Sequence, residues 1–301
     1  MKQLFSGVYT AILTPFKEGA IDFTAYKDLI EMNIAAGVSG IVPAGTTGES
    51  PTLTHEEQLE LIKVTVEQVN GRVKVIAGTG SNCTATAIEL TKRAAALGID
   101  GALVVNPYYN KPTQEGLFRH FKAIADNVNI PIVLYNIKGR TGVNVETATL
   151  LRIIKHCPNV CAVKEASGDM QQIQEVINSV PEHVSVLSGD DGITLEVIKA
   201  GGKGVISVAS NVFPEQMVQL VDAALDKKYE AAEALHAQMA PFFEVEFIET
   251  NPIPIKYVAS QLNLCNEEYR LPLCELSAEN KAAVDKVLAQ MHANKNNQSE
   301  V

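Results

Sequence analysis

One pattern recurs along this chain and limits its fold more than any other: a short apolar run rich in Val and Ile, a loop of small and polar residues, then an amphipathic helical stretch. Runs at residues 8–13, 40–43, 74–77, 101–106, 130–136, 160–164, 184–188 and 204–208 read as buried parallel strands. Helices are expected to follow from Asp22, from the capping box Thr54-His55-Glu56-Glu57, and from near Thr84, Gln114, Thr147, Asp169, Gly192 and Pro214. Eight such units before residue 226 predict an α/β protein of the (β/α)8 TIM-barrel class. A doubly wound open sheet fits less well, because no dinucleotide fingerprint and no topological break accompany the strands.

Beyond Asp226 the alternation stops. Residues 1–226 are expected to form the catalytic barrel and 227–293 a C-terminal helical appendix packed on it, with helices over 228–243, 255–262 and 278–292. Asn251-Pro252-Ile253-Pro254 interrupts helix between the first two of these. The polar residues 294–301 read as a frayed tail.

Composition removes several function classes. The 301 residues carry a formal net charge of -10 with no dense Lys/Arg run, which argues against a nucleic-acid surface. Five cysteines without a Cys-x-x-Cys pair fit reduced thiols in a cytoplasmic protein. Six scattered histidines spell out no metal site, so neither a metal nor another cofactor is expected. No signal peptide opens the sequence, and no apolar run is long enough to cross a bilayer, so no membrane partner is expected.

In such a barrel the loops after the strands share one face, and residues far apart in sequence converge there. Lys164 ends the run Val160-Cys161-Ala162-Val163 and so falls at that face. An ammonium enclosed by apolar neighbours loses hydration, which favours the free amine, and a free amine condenses with carbonyls to a Schiff base. The competing reading is a lysine that snorkels to the surface. Gly45-Thr46-Thr47-Gly48-Glu49-Ser50 offers exposed amides and two hydroxyls for a carboxylate, or is an ordinary turn. Tyr108-Tyr109 lie between Pro107 and Pro112, as proton relays or interface residues. Tyr135 suits a general acid/base or a satisfied core position, and Arg140 a carboxylate clamp or a solvated charge. Gly201-Gly202-Lys203-Gly204 precedes its strand and reads as a turn on the wrong face, and Lys138 sits in a loop where water keeps an ammonium charged.

Together Gly45-Thr46-Thr47-Gly48-Glu49, Tyr108-Tyr109, Tyr135-Asn136, Arg140-Thr141-Gly142, Val163-Lys164-Glu165-Ala166, Gly189-Asp190-Asp191, Gly204-Val205-Ile206-Ser207 and Asn251-Pro252-Ile253-Pro254 resemble the dihydrodipicolinate synthase family. The resemblance covers nearly the whole chain. It implies a cofactor-free lyase that condenses pyruvate with L-aspartate 4-semialdehyde in the diaminopimelate route to lysine. Carried over by position, Lys164 resembles the Schiff-base lysine, Tyr135 its acid/base partner, and Thr46 and Tyr109 the rest of a proton relay, with Tyr109 reaching in from a neighbouring subunit. Thr47 resembles the holder of the pyruvate carboxylate and Arg140 the receiver of the semialdehyde carboxylate, with Gly189 and Ile206 lining the pocket. A homotetramer made of two dimers is implied.

Sister aldolases, namely N-acetylneuraminate lyase and the keto-deoxy-sugar-acid aldolases, share the lysine and the Gly-rich loop. Arg140 and Tyr108-Tyr109 favour the synthase. The chain departs from the family at Lys138-Gly139, where a proline and a small residue are usual. A non-catalytic barrel that binds a keto acid is the remote alternative. Ser50, His55, Asn82 and Tyr108 resemble the family's lysine-inhibition pocket, whereas Gln58 and Thr86 stand where sensitive enzymes carry histidine and glutamate. Weak or absent feedback inhibition is the expectation.

Overall fold

The structure, a computed structural model, describes residues 4–298. Eight strands, β1 (Gly7–Ala11), β2 (Gly40–Val42), β3 (Lys74–Gly78), β4 (Gly101–Val105), β5 (Ile132–Asn136), β6 (Val160–Glu165), β7 (Ser185–Ser188) and β8 (Gly204–Ser207), form a closed barrel in the order β1-β8-β7-β6-β5-β4-β3-β2. All eight pairings are parallel. The intervening helices are α1 (Phe23–Ala35), α2 (His55–Val69), α3 (Thr84–Ala96), α4 (Gln114–Ala125), α5 (Thr147–His156), α6 (Met170–Ser179), α7 (Thr194–Lys199) and α8 (Pro214–Leu225). The expected (β/α)8 architecture is therefore present. One addition, a hairpin of Phe16–Lys17 with Ala20–Ile21, precedes α1.

Local chemistry explains the helix starts. Asp22 accepts from the Thr24 and Ala25 N–H groups, Asp169 from those of Gln171 and Gln172, and Thr54 with Glu57 forms the reciprocal capping box at α2.

Strand alternation divides the core into two layers. Tyr9, Val42, Ile76, Leu103, Val133, Tyr135, Ala162, Leu187 and Ile206 make one cluster, while Val8, Ile41, Val75, Val104, Leu134 and Val163 belong to the other, with the helices. The first cluster is the barrel interior. Lys164 shares the parity of Ala162 and so points inward.

The C-terminal part comprises α9 (Tyr229–Val245), α10 (Ile253–Gln261) and α11 (Ala278–Gln298), with α9 packed against α8 and α11. Two differences from the sequence reading have physical reasons. Ile253 and Pro254 open α10 instead of preceding it, because proline is tolerated in the first turn, where its missing N–H has no partner to lose. The terminal helix runs through 294–298, past the expected tail boundary, since this stretch of Asn, Lys and Gln contains no proline or glycine to break it; residues 299–301 lie outside the described part.

A buried ion pair ties this appendix to the barrel mouth. Lys256 of α10 and Glu49 of the β2–α2 loop are both fully buried and paired, and Lys256 Nζ also donates to the Glu268 carbonyl at 3.1 Å and sits 4.3 Å over the Phe16 ring. Burial pulls the Lys256 ammonium below its ordinary pKa, and Glu49 opposes that shift. Arg270 adds a two-pronged bridge to Glu57 at 2.7 and 2.9 Å. Replacing Lys256 by Met leaves the Glu49 carboxylate buried without its cation. The variant is expected to lose about 3–5 kcal/mol of stability, measured by urea unfolding.

Candidate active site

Strand pairing decides what stands next to Lys164. Tyr135 on β5 and Lys164 on β6 are register partners, and both are inward and nearly inaccessible, at 5% and 6% exposure. The Lys164 ammonium lies 4.2 Å from the centre of the Tyr135 ring. On the other side β7 ends at Gly189, whose N–H donates to the Glu165 carbonyl at 2.8 Å. A Cβ at residue 189 would stand 2.9 Å from Lys164 Cε and 2.6 Å from Ala166 Cβ, so only glycine leaves the lysine stem its place.

Behind Lys164 the strand ends are stitched by amides. Asn106 Nδ2 donates to Asn136 Oδ1 at 2.9 Å, and Asn136 Nδ2 donates to Asn144 Oδ1 at 2.9 Å and to Glu165 Oε1 at 3.1 Å. Glu165 also accepts the Ser167 N–H, yet burial still pushes its carboxyl above the ordinary range. This network locks the backbone at the ends of β4, β5 and β6.

A cavity of about 370 Å³ opens from Tyr135 and is lined by Thr46, Gly45, Leu103, Ile137 and Arg140. It continues to Ser50, His55, Gln58 and Tyr108. Arg140 also borders a second hollow of about 620 Å³, lined by Ala166, Gly189, Asp190, Phe247 and Thr250. A buried lysine, a phenol, hydroxyls and a guanidinium thus gather at the carboxyl ends of the strands. Among the described residues no group of three or more His, Cys, Asp or Glu side chains could hold a metal ion.

The model of the dihydrodipicolinate synthetase family matches residues 4–291. The chain belongs to that family. It is 53% identical over 274 residues to the 4-hydroxy-tetrahydrodipicolinate synthase of Leptospira biflexa, covering 91% of this chain and 93% of that protein. Identity to the enzyme of the same name from Endomicrobium trichonymphae is 50% over 285 residues, covering 95% and 98%. The solved structure of the synthase from Methylacidiphilum fumariolicum superposes with a TM-score of 0.95 at 45% identity, covering 96% of this chain and 97% of that one.

Within this family member, the geometry sorts the expected site residues. Lys164, Tyr135, Thr46 and Arg140 converge, with Gly189 against the Lys164 stem and Ile206 inward on β8. Thr47 is buried, and its Oγ1 accepts from Asn251 Nδ2 at 3.0 Å. Tyr109 does not enter its own chain's cavity: it is 90% exposed, with φ at 71°. Of the second group, Ser50, His55 and Tyr108 line the cavity, while Asn82 lies outside that lining and accepts from Asn110 through its carbonyl. Lys138 is exposed on a short helical turn, Lys138–Thr141. Lys203 and its glycines lie at the amino end of β8, where the Lys203 carbonyl accepts from Gly7.

Sequence reasoning missed the part played by Asn251. Its carbonyl accepts from Arg140 Nη2 at 2.9 Å while its side chain holds Thr47, so one appendix residue fixes two site residues 111 and 204 positions away. The only local signal was an asparagine before a proline, which reads as a helix break.

The crowding at β7 gives a direct test. Gly189→Ala is expected to leave the fold intact and to slow imine formation between Lys164 and a small keto acid about a hundredfold, measured as the rate of borohydride-trapped adduct.

Proposed function

We propose that this protein is a 4-hydroxy-tetrahydrodipicolinate synthase, condensing pyruvate with L-aspartate 4-semialdehyde through a Schiff base on Lys164. The observation that carries the reading is the inward Lys164 amine, buried at a strand end against the ring of Tyr135, which itself lines a cavity bordered by Arg140. The names of the relatives at about half identity support it.

In this reading the Lys164 amine attacks the ketone carbon of pyruvate, and the carbinolamine loses water with its hydroxyl protonated by Tyr135. The iminium accepts the electron pair released when a methyl proton leaves, which gives an enamine. That carbon attacks the semialdehyde aldehyde, and the amine of the second substrate then closes the ring and displaces Lys164. Two substrates give one product and one water, with no redox change. Thr47 and the turn amides suit the pyruvate carboxylate, and Arg140 suits that of the semialdehyde because a guanidinium binds carboxylates by two parallel hydrogen bonds.

Thr46 and Tyr109 complete the relay. Tyr109 is a bulky residue in left-handed backbone with its ring presented outward, a conformation that suits insertion into a neighbouring copy. Assembly as a homotetramer of two dimers, each supplying the other's Tyr109, follows from this reading. A cytoplasmic location fits the five free cysteines, and among the described residues no helix is long and apolar enough to cross a membrane.

Pyruvate with borohydride is expected to add its mass at Lys164, and Lys164→Arg to abolish that adduct. Tyr135→Phe is expected to lower turnover about 10²–10⁴-fold in a coupled assay with aspartate semialdehyde. An adduct at another lysine, or turnover of N-acetylneuraminate instead, would overturn the reading.

The cavity extension suits a basic amino acid poorly. Gln58 Nε2 is already committed to the Ser50 carbonyl at 2.8 Å, and Thr86 brings no carboxylate to meet an ammonium. Lysine at sub-millimolar concentration is expected to leave the steady-state rate unchanged.

A further inference from the structure

Three buried carboxyl oxygens at the barrel mouth have no hydrogen-bond partner: both oxygens of Glu246 and Oδ1 of Asp191, on residues that are each 1% exposed. Glu246 directly follows α9, where its N–H donates to the Phe242 carbonyl at 2.9 Å. Asp191 lies in the turn after β7, two residues beyond Gly189. Two ionised carboxylates only accept hydrogen bonds, so neither can satisfy the other. One proton between them changes that. It turns one group into a donor and removes the repulsion of two like charges in a buried site.

The backbone shows which group keeps its charge. Burial raises the Asp191 carboxyl as well, but its Oδ2 accepts from the Val208 N–H at 2.7 Å and the Ala209 N–H at 3.0 Å, bonds that oppose the rise and favour the carboxylate. Glu246 accepts no such bond. Burial first, then the charges of Asp191 and Asp190 and contact with Asp191, push the Glu246 carboxyl well above the ordinary carboxylate range.

Several charged groups of the packed helices have partners of their own, while His236 Nδ1 on α9 is buried without a hydrogen-bond partner. Lys199 of α7 is paired with Glu233 of α9, and Asp222 of α8 faces Asp226 and is raised chiefly by its own burial. Lys281 and Asp285 of α11 are held by Glu267 and Tyr257. On α9 itself His236 sits beside Phe243. A proton is a counter-charge that the three unpartnered oxygens accommodate.

We propose that Glu246 is a positioning residue: as a carboxylic acid it donates a hydrogen bond to Asp191 Oδ1 and fastens the end of α9 to the ends of β7, which neighbours the Lys164 strand, and β8. The linkage to the site is short. Asp191 holds the first two residues after β8 through Oδ2, and the turn it belongs to begins at Gly189, against the Lys164 stem. Only the choice of assay rests on the Schiff-base reading above.

The sign of the pH effect follows from linkage. A carboxyl whose pKa is higher folded than unfolded contributes stability that is complete below the unfolded value, about 4.3, and is lost as pH rises through the folded value. Glu246→Gln keeps a donor at every pH, whereas Glu246→Leu keeps bulk without a donor. The Gln variant is expected to turn over within about twofold of the native protein at neutral pH. Its advantage in thermal midpoint over the native protein should widen as pH rises above the unfolded carboxyl value into the alkaline range, and the native protein, unlike the Gln variant, is expected to lose kcat over that range. The Leu variant is expected to lose about tenfold in kcat with the KM for pyruvate nearly unchanged.

A midpoint difference that stays constant over that pH range, or a Leu variant with native kcat and pH profile, would overturn the proposal. If the Leu variant does not fold, the Gln comparison decides alone. Borohydride trapping of pyruvate by the native protein separates the two readings: without an adduct at Lys164 the proposed reaction fails, while the pH-dependent midpoint still tests the shared proton.

Discussion

The parallel pairing of β5 with β6 places a phenol and an amine side by side inside a closed barrel, and the rest of the site depends on that contact. Tyr135 and Lys164 are opposite each other in register, so their side chains leave the same face of the sheet, and closure makes that face the interior. A one-residue slip of either strand would turn its side chain away from the interior and part the two. The register is held from several directions, by the amide network from Asn106 to Glu165 and by the glycine that ends β7.

The C-terminal appendix completes the mouth and does not merely cover it. Lys256 reaches a buried carboxylate in the β2–α2 loop, Arg270 grips the first turn of α2, and Asn251 joins Thr47 to Arg140. Each of these contacts crosses from the appendix to a loop or helix start at the barrel mouth. A chain cut at the end of the eighth unit would lose the groups that hold Thr47 and Arg140.

Much of this was legible because the barrel is repetitive. Each unit carries its own apolar run and its own helix start, and the capping chemistry at Asp22, Thr54 and Asp169 acts within a few residues, so local reading suffices. The position of Lys164 followed from the parallel-strand reading alone. Harder positions were those whose partners are distant. Asn251 reads as a helix break, and no neighbouring residue singles out Lys256 or Glu246. None has a local signal for its role, since burial and pairing arise from packing across hundreds of residues.

By itself the amino-acid order determined the number and kind of elements, the strand end at which an amine would sit, and the family the chain resembles, because propensity, periodicity and motif spacing are properties of neighbouring residues. Tertiary structure alone decided that Tyr109 faces away from its own cavity, that Asn82 stands outside the lining, and that three charged or amide side chains of the appendix are buried against the mouth. Those outcomes depend on where a closed sheet brings remote loops together, and dehydration of a charge is a consequence of that meeting which no short stretch of chain encodes.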